Sequence, residues 1–211
     1  TRLTALAHKA GARVTDILVM ELSRKGNIAN ALLAGMGRRR RIILSDTLLS
    51  QYTPEEVEVI LAHELGHQLR HDIGRLLALR GAVVVSVLYI TSLSLEGSVS
   101  ALGLKGAADV AGLPLLILYL GILGFLSLPA GNAYSRRREA AADRFALKLT
   151  ANPAAFVSAM TKLCEQNLSE ARPAPWAEFL FHTHPSYHKR IELAAEYEQP
   201  RDPQAGLTPS A

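Results

Sequence analysis

Two histidines four residues apart bracket a glutamate in the run His63-Glu64-Leu65-Gly66-His67. On a helix, residues four apart share a face, so His63 and His67 can place two imidazoles on a single metal ion. Glu64 projects beside that face and can reach a water next to the ion without binding the ion itself. A tetrahedral catalytic zinc takes three protein ligands and leaves its fourth position open. The rest of the chain must then supply a third ligand and groups that stabilise a developing oxyanion. The alternative for so short a pattern is a surface helix with two ordinary histidines, and helix context is what separates the two.

That context is supplied upstream. Thr53-Pro54-Glu55-Glu56 has an N-cap threonine, a proline suited to the first helical position and a glutamate that completes a capping box. Val57, Ile60, Leu61 and Leu65 then recur at helical spacing, which puts the five-residue run inside a helix.

The bulk numbers bound the remainder. The chain has 211 residues, 49% of them hydrophobic, and a net charge of +4. This is enough for a sizeable core and one or two domains. Its arginines cluster beside apolar segments, which favours an anionic membrane surface over nucleic acid. A single cysteine, Cys164, excludes an intrachain disulfide framework, and the apolar helical pattern around it favours a small core residue over a nucleophile. The residues given do not read as a cleavable signal sequence, and a start at Thr1 without methionine is expected of a piece of a longer protein.

Ahead of the histidines, a short amphipathic helix is expected over Leu3–Ala10, stopping at Gly11. Strands are expected over Arg13–Leu22, Ile28–Ala34 and Arg40–Ser45, with a turn at Ser23–Asn27, and their tight connections predict a small antiparallel sheet. Arg38–Arg41 reads as a solvated turn, with a lipid headgroup contact as the alternative. Beyond the histidines, Gly81–Leu95 carries no charge and its apolar run reaches back to Leu76 past Arg80. Val110–Ser135 is a second uncharged stretch. Each is long enough to span a bilayer core. Arg70, Arg75 and Arg80 stand before this hairpin and Arg136, Arg137 and Arg138 after it, while the loop between holds only Glu96, Lys105 and Asp109. The positive-inside rule then puts both outer ends on the cytoplasmic side. A break or kink is expected at Pro129, Gly131 and Asn132. Helices follow from Ser135, from Asn152-Pro153 to about Leu168, and over Ser186–Glu198, with a disordered tail after Pro200.

The third ligand must lie on an element that returns to the histidine helix. Glu139 is the best candidate, on a helix after a hairpin that returns the chain to its starting side; the alternative is a solvated carboxylate among three arginines. Asp143, one turn on, can bond the outer nitrogen of a ligand histidine. His182 and His188 read as solvated or structural histidines.

The runs HELGH at 63–67, SRRREAAAD at 135–143 and THPSYHKRI at 183–191 resemble the M48 family of zinc metallopeptidases, membrane-embedded gluzincins that include Ste24-type CAAX prenyl proteases and HtpX-type quality-control proteases. Asn30-Ala31, IILSDTLL at 42–49 and PEEVEVILAHELGH at 54–67 look more Ste24-like. The resemblance covers about Val14 to Leu193. It implies an α+β zincin domain, mainly helical, with a small antiparallel sheet and a two-helix transmembrane hairpin. The zincin halves would be 1–75 and 131–198, the hairpin 76–130 and the tail 199–211. It implies one Zn2+ per chain held by His63, His67 and Glu139, with Glu64 as general base and Asp143 supporting the first histidine. It further implies that His184 stabilises the tetrahedral intermediate, that Arg190 orders the acidic side of the site, and that Asn30 and Ala31 lie on an edge strand pairing with substrate backbone. Ste24-type enzymes carry further membrane helices enclosing a chamber, and only two candidates appear in this chain.

The expected activity is peptide hydrolysis of membrane-associated or lipidated substrates, in contact with membrane lipid and without nucleic acid. The location expected is a bacterial inner membrane, with the catalytic residues on its cytoplasmic side. The alternatives are an HtpX-like protease of misfolded membrane proteins and a non-catalytic zinc-binding membrane module.

Overall fold

Three short strands carry the first layer: β1 (Val14–Met20), β2 (Ala31–Ala34) and β3 (Arg40–Ser45). They belong to a computed structural model that describes residues 2–24, 29–35 and 40–198. The sheet order is β1-β3-β2, with β1 parallel to β3 and β2 antiparallel to it. The sheet is therefore mixed, where tight connections had predicted an antiparallel one. Those connections do not dictate which strands are neighbours, and β3, whose Ile42 and Leu44 are fully buried, takes the centre. The turns expected at Ser23–Asn27 and Arg38–Arg41 lie partly, and the tail after Pro200 wholly, outside the described residues.

Helix α1 (Arg2–Lys9) precedes the sheet, and its chain turns at Gly11, whose φ of 79 suits glycine. The last residue of β3, Ser45, also caps α2 (Asp46–Gln51) by accepting a hydrogen bond from Leu48 N–H at 3.1 Å. Helix α3 (Pro54–Leu69) opens with the expected capping box. Thr53 N–H donates to Glu56 Oε2 at 2.8 Å, and Glu56 N–H returns to Thr53 Oγ1 at 3.3 Å. Helix α4 (Asp72–Ser98) follows His71, which holds a left-handed φ of 54.

Helix α5 (Leu113–Thr150) runs 38 residues with Pro129 inside it. Of the break or kink expected at Pro129, Gly131 and Asn132, a break is absent: the helix is continuous there. One proline removes a single intrahelical bond, and the helix formers on both sides carry the rest through, as apolar spanning helices allow. Then come α6 (Pro153–Gln166), capped by Asn152, α7 (Pro175–Phe181) and α8 (Tyr187–Glu198).

The residues gather in two compact units. One holds the chain up to Leu69, Ala140–Pro173 and the stretch from Pro185; the other holds Arg70–Glu139 and Ala174–His184. In the first, α3 packs against α1, β2 and α6, and α6 against α8. Their shared core includes Ile42, Leu44, Leu61, Leu65, Leu147 and Phe156. Helix α4 and the stretch Val110–Thr150 are long and apolar enough to cross a membrane, and only 6% of each most apolar window is buried. At about 1.5 Å per residue, α4 alone measures about 40 Å, more than the hydrocarbon thickness of a bilayer.

Candidate metal centre

Helix α3 puts His63 and His67 on one face, with their Nε2 atoms 3.0 Å apart and their rings edge-on at 4.7 Å. Two ring nitrogens of a tetrahedral zinc site lie about 3.3 Å apart, given bonds of about 2.0–2.1 Å, so the pair is near ligand spacing.

The orientation of His63 is set from α5. Asp143 Oδ1 lies 2.9 Å from His63 Nδ1, and the Asp143 side chain is wholly buried. Arg190 on α8 reaches the same carboxylate, its Nε donating to Oδ2 at 2.8 Å and its Nη2 to Oδ1. Burial pushes the Asp143 carboxyl up, but the hydrogen bond to His63 and the charge of Arg190 outweigh it and hold the group below its ordinary value. An ionised Asp143 accepts hydrogen bonds only, so His63 Nδ1 must donate. The lone pair of His63 is thereby left on Nε2, the atom that faces His67.

Glu139 stands one turn before Asp143 on α5, so both point along one helix face. Ligand atoms of His63, His67 and Glu139 all lie within 4.8 Å of one another. Two imidazoles and a carboxylate form a donor set that suits zinc, and the His63 tautomer is the one a metal requires.

Gly66 supplies a condition that spacing alone does not reveal. A Cβ there would meet Ala142 Cα and Phe145 Cδ1 at 3.2 Å, so glycine permits the close approach of α3 to the part of α5 that bears Asp143. The signal was present as the glycine of the five-residue run, but nothing local said what it approaches.

The remaining candidates are placed as follows. Glu64 follows His63 on α3 and is half-buried. His184 Nε2 lies 3.5 Å from Glu139 Oε2, and its Nδ1 is 2.9 Å from Thr183 Oγ1. Ala31 is on β2, at one edge of the sheet, and Asn30 directly precedes it. Asn30 C=O accepts from Ser45 N–H and its own N–H donates to Ser45 Oγ, both at 2.9 Å. By strand alternation the N–H and C=O of Ala31 then point away from β3. His188 pairs with Glu192 and Arg172 near the surface. Elsewhere on α3, Glu56 is bonded by Ser158 and by Lys162, which ties the helix start to α6.

Comparison with known proteins fixes first the fold and then the family. The crystal structure of Ste24p from S. mikatae shares the fold with a TM-score of 0.77 at 22% identity, over 92% of this chain and 49% of that one. The model of peptidase family M48 matches residues 1–198, and the chain belongs to that family. It is 33% identical over 94% of its length to the metalloprotease YhfN of Bacillus subtilis (strain 168). It is 26% identical over 95% to a CAAX prenyl protease 1 homolog of Oryza sativa subsp. japonica, and 28% over 89% to protease HtpX of Stutzerimonas stutzeri (strain A1501). The chain spans 47%, 48% and 68% of these relatives' own lengths, in that order.

Proposed function

We propose that this chain carries the catalytic centre of a membrane-embedded zinc metalloendopeptidase. The observation that carries the reading is the meeting of His63, His67 and Glu139 within 4.8 Å, with Glu64 beside His63 on the same helix. His63, His67 and Glu139 would hold one zinc per chain. Zinc, when bound, supplies a Lewis acid for the scissile carbonyl and brings the pKa of water towards about 7.

The protein's own groups do the rest. Asp143 keeps the His63 lone pair on Nε2, and Arg190 keeps Asp143 ionised and in place. Glu64 accepts a proton from the attacking water and returns it to the leaving amine. His184 donates a hydrogen bond to the oxyanion as charge develops. The open edge at Asn30 and Ala31 receives the substrate backbone as an added strand, which favours an extended segment over a strict sequence.

The zincin parts are 1–75 and 131–198, around a spanning hairpin at 76–130. The flanking arginines support a cytoplasmic site, and a bacterial inner membrane is the setting proposed. A site so close in sequence to two spanning helices favours membrane-associated or lipidated substrates. The relatives' names include both a CAAX prenyl protease and HtpX, so a protease of misfolded membrane proteins is the second reading.

Glu64→Gln in the full chain should retain zinc and lose nearly all cleavage of casein or a model peptide; retained turnover would sink the mechanism. Glu139→Ala should lose zinc by elemental analysis, and unchanged zinc would put the third ligand elsewhere. Cleavage of a farnesylated peptide in preference to its unmodified twin selects the CAAX-type reading, and equal cleavage selects the other.

A further inference from the structure

The ring of His184 is 61% exposed, so packing does not hold it. Beside its contacts with Thr183 and Glu139, its position follows the backbone that precedes it, and that backbone is gripped by α5. Arg136 Nη1 donates to His182 O at 2.6 Å and Glu178 O at 2.8 Å, with Phe179 O at 3.5 Å. One turn earlier, Asn132 Nδ2 donates to Leu180 O at 2.5 Å. These are carbonyls of the last turn of α7 and of the residue that ends it; Glu178 O also accepts from His182 N–H at 3.3 Å, while Phe179, Leu180 and His182 lie where a helix leaves its carbonyls without intrahelical partners. A seven-residue helix is too short to persist alone, and a guanidinium at its C-terminal end satisfies both the carbonyls and the dipole. Two residues beyond His182, the chain presents His184 Nε2 to Glu139, itself three positions after Arg136 on α5.

We infer that Arg136 is a positioning residue for His184: it clamps the end of α7 so that the imidazole is delivered to the face of α5 that carries Glu139. The inference rests on the reading of His184 as the oxyanion donor. The charge of Arg136 therefore has work besides membrane topology. Its neighbour Arg138 likewise pairs with Asp72, while Arg137 is exposed.

The test uses the full chain in detergent with a quenched-fluorescent casein-derived peptide. Arg136→Met should lower kcat on the order of 10²-fold, the scale of a small misplacement of a reacting group, with KM and zinc content unchanged. Arg136→Lys should restore part of that loss, and Arg137→Met should leave kcat within about twofold. Combined with His184→Ala, Arg136→Met should add nothing further, because both act through one group. In the metal-free protein, Arg136→Met should speed amide exchange across residues 179–184 by at least about tenfold, the scale of one lost charge-assisted hydrogen bond. Should Arg136→Met not fold, Asn132→Ala and Arg136→Lys must show the same coupling in weaker form. Multiplying losses in the double variant, or unchanged kcat in Arg136→Met, overturns the inference while leaving the peptidase reading intact. An unchanged kcat in His184→Ala instead overturns the reading on which it rests.

Discussion

Helices α3 and α4 are both apolar, yet their surroundings are opposite. Eight of the sixteen residues of α3 are buried, against three of the twenty-seven in α4. The apolar side chains of α3 meet β2, α1 and α6, whereas Val85, Leu88 and Tyr89 of α4 are exposed. What distinguishes the two is where charge falls. Glu55, Glu56, Glu58 and the histidines interrupt α3 on faces that meet partners or water. Uncharged residues fill α4 from Gly81 to Leu95. Apolar content alone does not separate the two helices; an unbroken apolar circumference of bilayer length does.

Truncation should break the comparison most sharply. Leu61→Ala in α3 leaves a cavity in a fully buried site and should cost about 3 kcal/mol of stability. Leu88→Ala in α4 should cost under about 0.5 kcal/mol in detergent micelles. Urea midpoints of the two variants measure the contrast, and equal losses would mean that α4 is packed in protein. Insertion gives a complementary effect of about 3 kcal/mol. Ile122→Lys puts a charge in the middle of the apolar stretch of α5, so it should lower the membrane-inserted fraction in a glycosylation-mapping assay. Unchanged insertion would argue against a spanning α5.

The smallest effect concerns the buried charge of α3. Burial would raise the Glu56 carboxyl, but hydrogen bonds from Lys162, Ser158 and the Thr53 backbone hold it below its ordinary value. A folded-state value below the unfolded one means that stability is fully present above the ordinary glutamate value near about 4.3 and is lost as pH falls through the folded value. Stability should thus decline below that point, and Glu56→Gln should flatten the decline at the cost of a lower plateau at neutral pH. The same slope in both proteins would assign the acid sensitivity to other groups.

Residues close in sequence were legible because their physics is local. The capping box at Thr53 and Glu56, the face shared by His63 and His67, the single turn between Glu139 and Asp143, and the two long apolar stretches all follow from helical periodicity and composition. Helices α2 and α7 escaped notice because each is under two turns and is held by a cap: Ser45 for the first, and Asn132 and Arg136 for the second.

By itself, then, the sequence determined which of the longer helices form, which side chains share a face on each, and where an uncharged span begins and ends. The tertiary structure decided that β3 separates β1 from β2, that Asp143 meets a histidine 80 positions earlier, and that Gly66 is the point where α3 and α5 come close. It also decided that Arg136 serves the carbonyls of α7. The physical reason is one of range. Backbone periodicity and capping act within a turn or two, whereas each of these contacts exists only after packing has joined residues whose local sequences carry no information about one another.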